Sequence, residues 1–266
     1  MSGASTRRRL VLTRDPAAAG RLEAQLGEAG IEFAHLPLTE QRAFDDDADL
    51  RCAVTMLHRG HYEALVLTSA NTVRALCRAG FGRDSAHPAA PARIVVTGAG
   101  TAHALHQLTG ITETWHPAGE ASAVGILQEL PAPRGTSRLL LPQSAQARSE
   151  LHTGLTERGW QVDQISAYCT VPLYGPEAPG PRPRQRLLPD EGVAREPGEI
   201  TAEDVVLITS SSAAQVWAQL RGIRPRPYRV LAIGAPTAAT LQALGEPVDA
   251  VLPTPTAQGV QTALSC

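Results

Sequence analysis

Residues 65–73 read LVLTSANTV, and the fold prediction depends on this segment. The residues from Leu65 to Thr68 predict a buried strand, and Ser69 then begins a break before a helix that is expected to start near Val73. A strand that ends in small hydroxylated residues and leads into a helix presents unpaired backbone N–H groups and side-chain hydroxyls to one patch of solvent. The segment therefore predicts a place that can hold an anion.

Parts of this pattern are repeated in the second half of the chain. Residues 206–213 read VLITSSSA, with Thr209, Ser210 and Ser211 where the first segment has Thr68, Ser69 and Ala70. A further segment, residues 95–108, aligns without a gap on residues 231–244. The repeats predict two copies of one α/β half. The second alignment pairs two glycines and two threonines: Gly98 with Gly234, and Thr101 with Thr237.

The start of the chain indicates that the strands form parallel sheets. Residues 10–13 predict a strand, the next segment predicts a helix that ends at Gly30, and residues 31–38 predict a second strand. Strand, helix and strand within about 30 residues are typical of a βαβ unit. Further strands are predicted at 93–97 and 137–142.

Composition favours a two-domain protein that binds a small molecule. The chain has 266 residues, of which 43 % are hydrophobic and 19 % charged, and no apolar run is long enough to cross a membrane. A net charge of −2 and 4 % aromatic residues count against a nucleic-acid-binding protein. The N-terminus has no apolar core of a signal peptide, so a cytoplasmic location is expected.

Neither a metal site nor a bound cofactor is expected. The four cysteines are scattered, and the acidic segment 40–50 lacks the ligand spacing and central glycine of a calcium loop. The glycines Gly98 and Gly100 resemble a dinucleotide-binding loop, but His103 stands where its third glycine would be. The chain also lacks a Walker loop. A nucleotide-binding enzyme is therefore disfavoured.

Seven short motifs, taken in order, carry a family resemblance that covers nearly the whole chain. They are LTR at 12–14, LTSAN at 67–71, TGAGTA at 97–102, an arginine at 148, SAYCT at 166–170, ITSSSA at 208–213 and AIGAPTA at 232–238. Each motif alone is common, whereas their order, spacing and repetition are specific. Together they resemble uroporphyrinogen-III synthase.

The resemblance implies a particular domain arrangement. It implies two flavodoxin-like, parallel-sheet α/β domains of duplicated origin, joined by a two-stranded connector, with the second domain inserted in the first. The first domain would comprise residues 1–37 and 173–266, and the second residues 38–172. Residues 175–198, rich in Pro, Gly and Arg, predict a mobile loop.

The resemblance also implies an activity. A cofactor-free, metal-free enzyme of this family cyclises hydroxymethylbilane to uroporphyrinogen III, with loss of water and inversion of the last pyrrole ring, and an interdomain cleft would hold the substrate. Tyr168 matches a tyrosine proposed to assist loss of the hydroxyl. Ten other residues fall on motif positions and are expected to bind substrate: Arg14, Ser69, Asn71, Gly98, Thr101, Arg148, Ser210, Ser211, Gly234 and Thr237.

Two alternatives stay open at this point. The serines and threonines of the motifs could serve only as helix N-caps, since these residue types do so most often. The whole chain could also be a non-catalytic module that binds a tetrapyrrole or another polyanion, although the presence of Tyr168 and of both Gly-x-x-Thr turns speaks against it. The expected protein is a monomer, with a transient contact to hydroxymethylbilane synthase as an open question.

Overall fold

The structure is a computed structural model that describes residues 9–82, 92–133, 135, 137–176, 187, 195–222 and 229–265. Its strands are β1 (Leu10–Leu12), β2 (Phe33–His35), β3 (Thr39–Arg42), β4 (Ala64–Leu67), β5 (Arg93–Val96), β6 (Arg138–Ser144), β7 (Gln161–Pro172), β8 (Val205–Ile208), β9 (Arg229–Ala232) and β10 (Ala250–Val251). Its helices are α1 (Arg21–Glu28), α2 (Ala48–His58), α3 (Ala70–Arg78), α4 (Ala99–Thr109), α5 (Ala123–Glu129), α6 (Glu150–Glu157), α7 (Ser211–Gln219), α8 (Ala235–Ala243) and α9 (Ala257–Ser265).

The chain forms two compact units. Unit 1 contains the chain up to Glu40 and most of the chain from Val171 onward, and unit 2 contains Gln41–Thr170 together with Leu187. Each unit has one five-stranded sheet, with the order β10-β9-β8-β1-β2 in unit 1 and β3-β7-β6-β4-β5 in unit 2. Every strand pair whose register is described is parallel. The protein is thus an α/β protein with two parallel-dominated sheets.

The central strands β1, β4 and β8 are buried on both faces of their sheets, which explains why they are continuous apolar runs. In β4, Leu65 and Leu67 pack into one core cluster, whereas Ala64 and Val66 pack into the other. Successive side chains of a strand point to opposite faces, so only a sheet covered by helices on both sides buries all four residues. The strand β1 of unit 1 follows the same rule, with Val11 in a different cluster from its neighbours.

Two element boundaries differ from the sequence prediction. The helix expected near Val73 begins at Ala70, because Ser69 caps its first turn. The strand expected over residues 31–38 is shortened to β2 in unit 1, and a separate strand, β3, begins only at Thr39 and belongs to the sheet of unit 2. Pro37 lies in the gap, and a proline has no N–H with which to continue a ladder of hydrogen bonds.

The segment predicted to be a mobile loop is anchored at its described residues. Residues 177–186 and 188–194 lie outside the described part of the chain, as do residues 1–8 with the charged N-terminus. Leu187 packs into a core cluster of unit 2, and its backbone N–H donates to the carbonyl of Gln41 at 3.0 Å. Farther on, the N–H of Arg195 donates to the carbonyl of His35 at 2.8 Å. None of the described helices is long and apolar enough to cross a membrane.

Two glycines fit where no larger residue would. A Cβ atom on Gly125 of α5 would lie 2.0 Å from the carbonyl oxygen of Glu120, and one on Gly259 of α9 would lie 2.1 Å from that of Thr254. Both neighbours are backbone atoms, which cannot move away as a flexible side chain would. The two helices therefore pack against their preceding loops only because these positions carry no side chain.

We expect Gly125→Ala and Gly259→Ala each to lower the free energy of unfolding by on the order of 1–3 kcal/mol, because the added methyl group must displace backbone. Thermal and urea unfolding measure the effect. Gly27→Ala is the control, since nothing lies within 4 Å of the added atom in α1, and alanine there should stabilise the helix by about 0.5–1 kcal/mol. Equal melting temperatures for all three variants would contradict the packing argument.

Candidate functional site

Two of the predicted site serines cap helices at the carboxyl ends of strands. In unit 2, Ser69 follows β4, and its Oγ accepts a hydrogen bond of 3.1 Å from the N–H of Thr72. In unit 1, Ser210 follows β8, and its Oγ accepts one of 3.0 Å from the N–H of Ala213. Capping of this kind satisfies one of the N–H groups that the first helical turn leaves unpaired. Both hydroxyls therefore have a structural role, whatever else they do.

The Ser69 hydroxyl also contacts Tyr168. The two oxygens are 3.1 Å apart, and Ser69 Oγ is in addition 3.0 Å from Thr72 Oγ1. Tyr168 is only 8 % exposed. Burial raises the pKa of Tyr168, and the neighbouring hydroxyls of Ser69 and Thr72 offset part of that rise. The phenol is therefore protonated at neutral pH and is held at a defined place at the end of the sheet.

A shift in strand register gives Tyr168 its direction. Gln143 of β6 pairs with Ser166 of β7, but the next residue, Ser144, pairs with Tyr168, so Ala167 is an additional residue in β7. In a regular strand Ala167 and Tyr168 would face opposite sides of the sheet. Here both pack into the same core cluster, on the face that α3 covers. Such bulges are a known means of redirecting a side chain.

A glutamine side chain holds the end of the same strand. Gln146 lies just after β6, and its Oε1 accepts the N–H of Thr170 at 3.0 Å while its Nε2 donates to the Thr170 carbonyl at 3.2 Å. The Gln146 side chain thus makes the two hydrogen bonds to Thr170 that the backbone of a neighbouring strand would otherwise make. Arg148, predicted to bind substrate, follows two residues later, where it is exposed and has no ion pair with a described residue.

The two Gly-x-x-Thr turns occupy equivalent places in the two units. Gly98 precedes α4 and Gly234 precedes α8, and each is the N-cap residue with no side chain to cover the first turn. Thr101 and Thr237 lie in those first turns and are buried. The Thr101 hydroxyl is 3.5 Å from that of Thr97, while Thr237 makes no side-chain hydrogen bond to any residue in the described ranges. Backbone N–H groups and a threonine hydroxyl are therefore available at both turns.

Two other predicted residues are engaged within unit 1. Arg14 forms an ion pair with Glu23, at 3.3 Å between Nε and Oε1, and the same carboxylate caps α1 by accepting the N–H of Gly20. Ser211 donates to the carbonyl of Pro236 at 3.3 Å. The positive charge of Arg14 is already compensated, which makes it a weaker anion ligand than the motif alone predicts.

Sequence reasoning missed Arg74 of α3. Its guanidinium donates to Asn71 Oδ1 at 3.1 Å, and no carboxylate among the described residues forms an ion pair with it. Burial lowers the pKa of Arg74, because the charged guanidinium is partly removed from water. Arg74 therefore places a partly desolvated positive charge, held by the predicted site residue Asn71, on the first two turns of α3. In the sequence, this pair is indicated by the spacing of three residues between Asn71 and Arg74, which places both side chains on one face of a helix.

The acidic segment 40–50 is used to begin a helix. Asp46 Oδ1 accepts the N–H of Ala48 at 3.0 Å, and Asp47 forms an ion pair of 2.7 Å with Arg51. No group of three or more His, Cys, Asp or Glu within the described ranges is arranged to hold a metal ion. These aspartates thus serve the N-terminus of α2, where negative charge stabilises the helix dipole.

Comparison with known proteins gives a family match over most of the chain. The model of the family described as uroporphyrinogen-III synthase HemD matches residues 20–261. A curated relative, the chloroplastic uroporphyrinogen-III synthase of Oryza sativa subsp. japonica, is 28 % identical over 167 residues, which is 61 % of this chain and 53 % of the relative. The matched region therefore spans about half the length of that relative.

Two solved structures share the fold at low sequence identity. A mutant uroporphyrinogen III synthase from the extremely thermophilic bacterium Thermus thermophilus is 20 % identical, with a TM-score of 0.57 and coverage of 97 % of this chain and 99 % of that one. The enzyme from Helicobacter pylori is 17 % identical, with a TM-score of 0.58 and the same coverage. At this level of identity, the similarities show that the fold is shared.

Proposed function

We propose that this chain, which belongs to the uroporphyrinogen-III synthase family over residues 20–261, cyclises hydroxymethylbilane to uroporphyrinogen III with loss of water and inversion of the last pyrrole ring. Family membership supports a role in tetrapyrrole biosynthesis and an enzyme of the lyase class. The observation that carries the proposal is Tyr168, a protonated and buried phenol at the end of the unit 2 sheet.

The chemistry requires little more than positioning and one well-placed proton donor. The pyrrole rings are electron-rich and form the new carbon–carbon bond themselves, so the protein must hold the linear substrate in the conformation that favours attack by the substituted ring carbon. The departing hydroxyl leaves most readily as water, which requires a proton. Tyr168 can donate a hydrogen bond or a proton to that oxygen, because its pKa lies above the ordinary value of about 10.

The eight carboxylates of the substrate require several anion ligands, and each unit offers some. In unit 2 these are the α4 turn with Gly98 and Thr101 and the Arg74–Asn71 pair. In unit 1 the α8 turn with Gly234 and Thr237 is the corresponding feature. Helix N-termini and an uncompensated guanidinium both favour carboxylates. We retain as proposed ligands Asn71, Gly98, Thr101, Arg148, Ser211, Gly234 and Thr237, and we add Arg74.

The finer architectural prediction is part of this proposal. Read from β2 to β10 and renumbered 1 to 5 along the chain, the strands of the unit 1 sheet have the order 2-1-3-4-5. Flavodoxin-like folds have this order, which supports that assignment. Duplication is supported by the equivalent turns at α4 and α8. The two-stranded connector, the monomeric state, a transient contact with hydroxymethylbilane synthase and the cytoplasmic location also stay predictions.

A single assay separates catalysis from binding. The chain is mixed with freshly prepared hydroxymethylbilane, and the type I and type III products are separated. We expect type III to dominate, whereas spontaneous closure gives type I. A protein that binds the product but leaves the isomer ratio of the uncatalysed reaction unchanged would instead be the non-catalytic module.

Tyr168→Phe should fold normally and form type III product roughly 100- to 10,000-fold more slowly, because only the proton donor is removed while the ring keeps its packing. Type I product should accumulate in its place. Tyr174→Phe is the matched control, since its hydroxyl donates to Glu196 in unit 1. Unchanged turnover and isomer ratio in Tyr168→Phe would remove this residue from the mechanism.

Thr237→Val and Thr101→Val should each lower kcat/KM by roughly 10- to 150-fold, the equivalent of losing one hydrogen bond to a charged group. Melting temperatures should change little, because the caps of α4 and α8 are Gly98 and Gly234. Thr240→Val, on the same helix as Thr237, is the control because its hydroxyl bonds the Pro236 carbonyl. A variant with full activity would make that threonine a packing residue.

Arg74→Gln should raise KM at least about 10-fold, since one charge-assisted contact to a substrate carboxylate is lost. The KM of this variant should also depend less on salt concentration than the KM of the unmodified chain. Arg51→Gln removes an exposed arginine that is paired with Asp47 and provides the control. An unchanged KM for Arg74→Gln would show that its guanidinium does not meet the substrate.

A further inference from the structure

Three hydroxyl groups form a connected set in unit 2. Tyr168 Oη is 3.1 Å from Ser69 Oγ, which is 3.0 Å from Thr72 Oγ1. Thr72 is fully buried, with 0 % of its surface exposed. Sequence analysis did not single out Thr72, because a threonine in the first turn of a helix is ordinary.

The hydrogen positions in this set follow from counting donors and acceptors. A serine hydroxyl has one hydrogen and two lone pairs, and one lone pair of Ser69 Oγ already accepts the backbone N–H of Thr72 at 3.1 Å. One hydrogen and one lone pair remain for the hydroxyls of Thr72 and Tyr168. Ser69 therefore donates to one of them and accepts from the other.

The buried Thr72 hydroxyl decides between the two arrangements. If Ser69 donated to Thr72, the Thr72 hydrogen would be buried without an acceptor, because Ser69 Oγ is the one hydrogen-bond partner of Thr72 Oγ1 among the described residues, and an unpaired buried donor is costly. If Thr72 donates to Ser69, the hydrogens of the fully buried Thr72 and of Ser69 both have acceptors, since Ser69 then donates to Tyr168, which keeps 8 % exposure. In that arrangement Tyr168 accepts a hydrogen bond, and its own hydrogen is left for a ligand.

We propose that Thr72 is a positioning residue that orients the hydroxyl chain Thr72–Ser69–Tyr168 so that Tyr168 presents its proton to the substrate. This inference rests on the proposed function. In the reaction, the Tyr168 proton passes to the departing hydroxyl, the carbon–oxygen bond breaks with its electron pair going to oxygen, and water leaves. The phenolate accepts the Ser69 hydrogen bond until the cationic polypyrrole gives up a proton on ring closure, which restores the phenol.

The direction of the pKa effects agrees with this orientation. Burial raises the pKa of Tyr168, while the neighbouring hydroxyls of Ser69 and Thr72 lower it. A hydrogen bond lowers the pKa of an acid when it is donated to the charged form. Loss of the Thr72 hydroxyl should accordingly make Tyr168 a weaker acid.

Two substitutions separate this role from a purely structural one. Thr72→Val keeps the shape and deletes the hydroxyl, whereas Thr72→Ser keeps the hydroxyl. We expect Thr72→Val to lower kcat for type III formation about 10-fold with KM unchanged and to raise the Tyr168 pKa, and we expect Thr72→Ser to restore both. The pKa is measured without substrate by ¹³C NMR of ring-labelled tyrosine, with Tyr168→Phe used to assign the signal.

A second comparison tests whether Thr72 acts through Tyr168. In the Tyr168→Phe background, Thr72→Val should cause no further loss of rate, since the donor it orients is absent. An equal loss in both backgrounds, or an unchanged Tyr168 pKa in Thr72→Val, would overturn the proposal. If the unmodified chain forms no type III product, the proposed function fails, whereas the pKa comparison still decides the direction of the hydroxyl chain.

Discussion

The hydroxyl of Ser69 has three neighbours, which is as many as its one hydrogen and two lone pairs can serve. One of them is the first turn of α3, so the helix and the hydroxyl of Tyr168 are fixed by the same atom. A change in the helix start would therefore move the phenol. Ser69 thus gives Tyr168 a defined position at the end of the unit 2 sheet, although Tyr168 lies close to the point where β7 passes out of unit 2.

The two units use the same strand-to-helix turn differently. In unit 2 the capping serine meets a tyrosine, whereas in unit 1 the hydroxyl of Thr13 accepts the N–H of Thr209 at 3.0 Å and donates to the Leu207 carbonyl at 3.1 Å. The unit 1 hydroxyls thus join the ends of β1 and β8. Both units contain a helix start of this kind, but the described residues place the phenolic donor at one of them only.

Tight packing also holds the two sheets that carry these turns. The central strands of both sheets are buried on both faces, and α5 and α9 approach their preceding loops at glycines that leave no space for a methyl group. The proposed substrate ligands can then include short hydroxyls, because the backbone sets the positions of such side chains. Long and flexible ligands would lose more conformational freedom on binding.

The sequence by itself determined the class of fold, the repeated turns at residues 68–71, 98–101 and 234–237, and the family, because apolar runs, small residues after strands and motif order are local properties of the chain. Only the tertiary structure decided the features that depend on distant residues. The shift of register that turns Tyr168 toward α3 arises from pairing with β6, and the pairing of Gln146 with Thr170 joins residues 24 apart. The roles proposed for Thr72 and Arg74 depend on their burial, and burial is a property of the packed molecule that no single segment specifies.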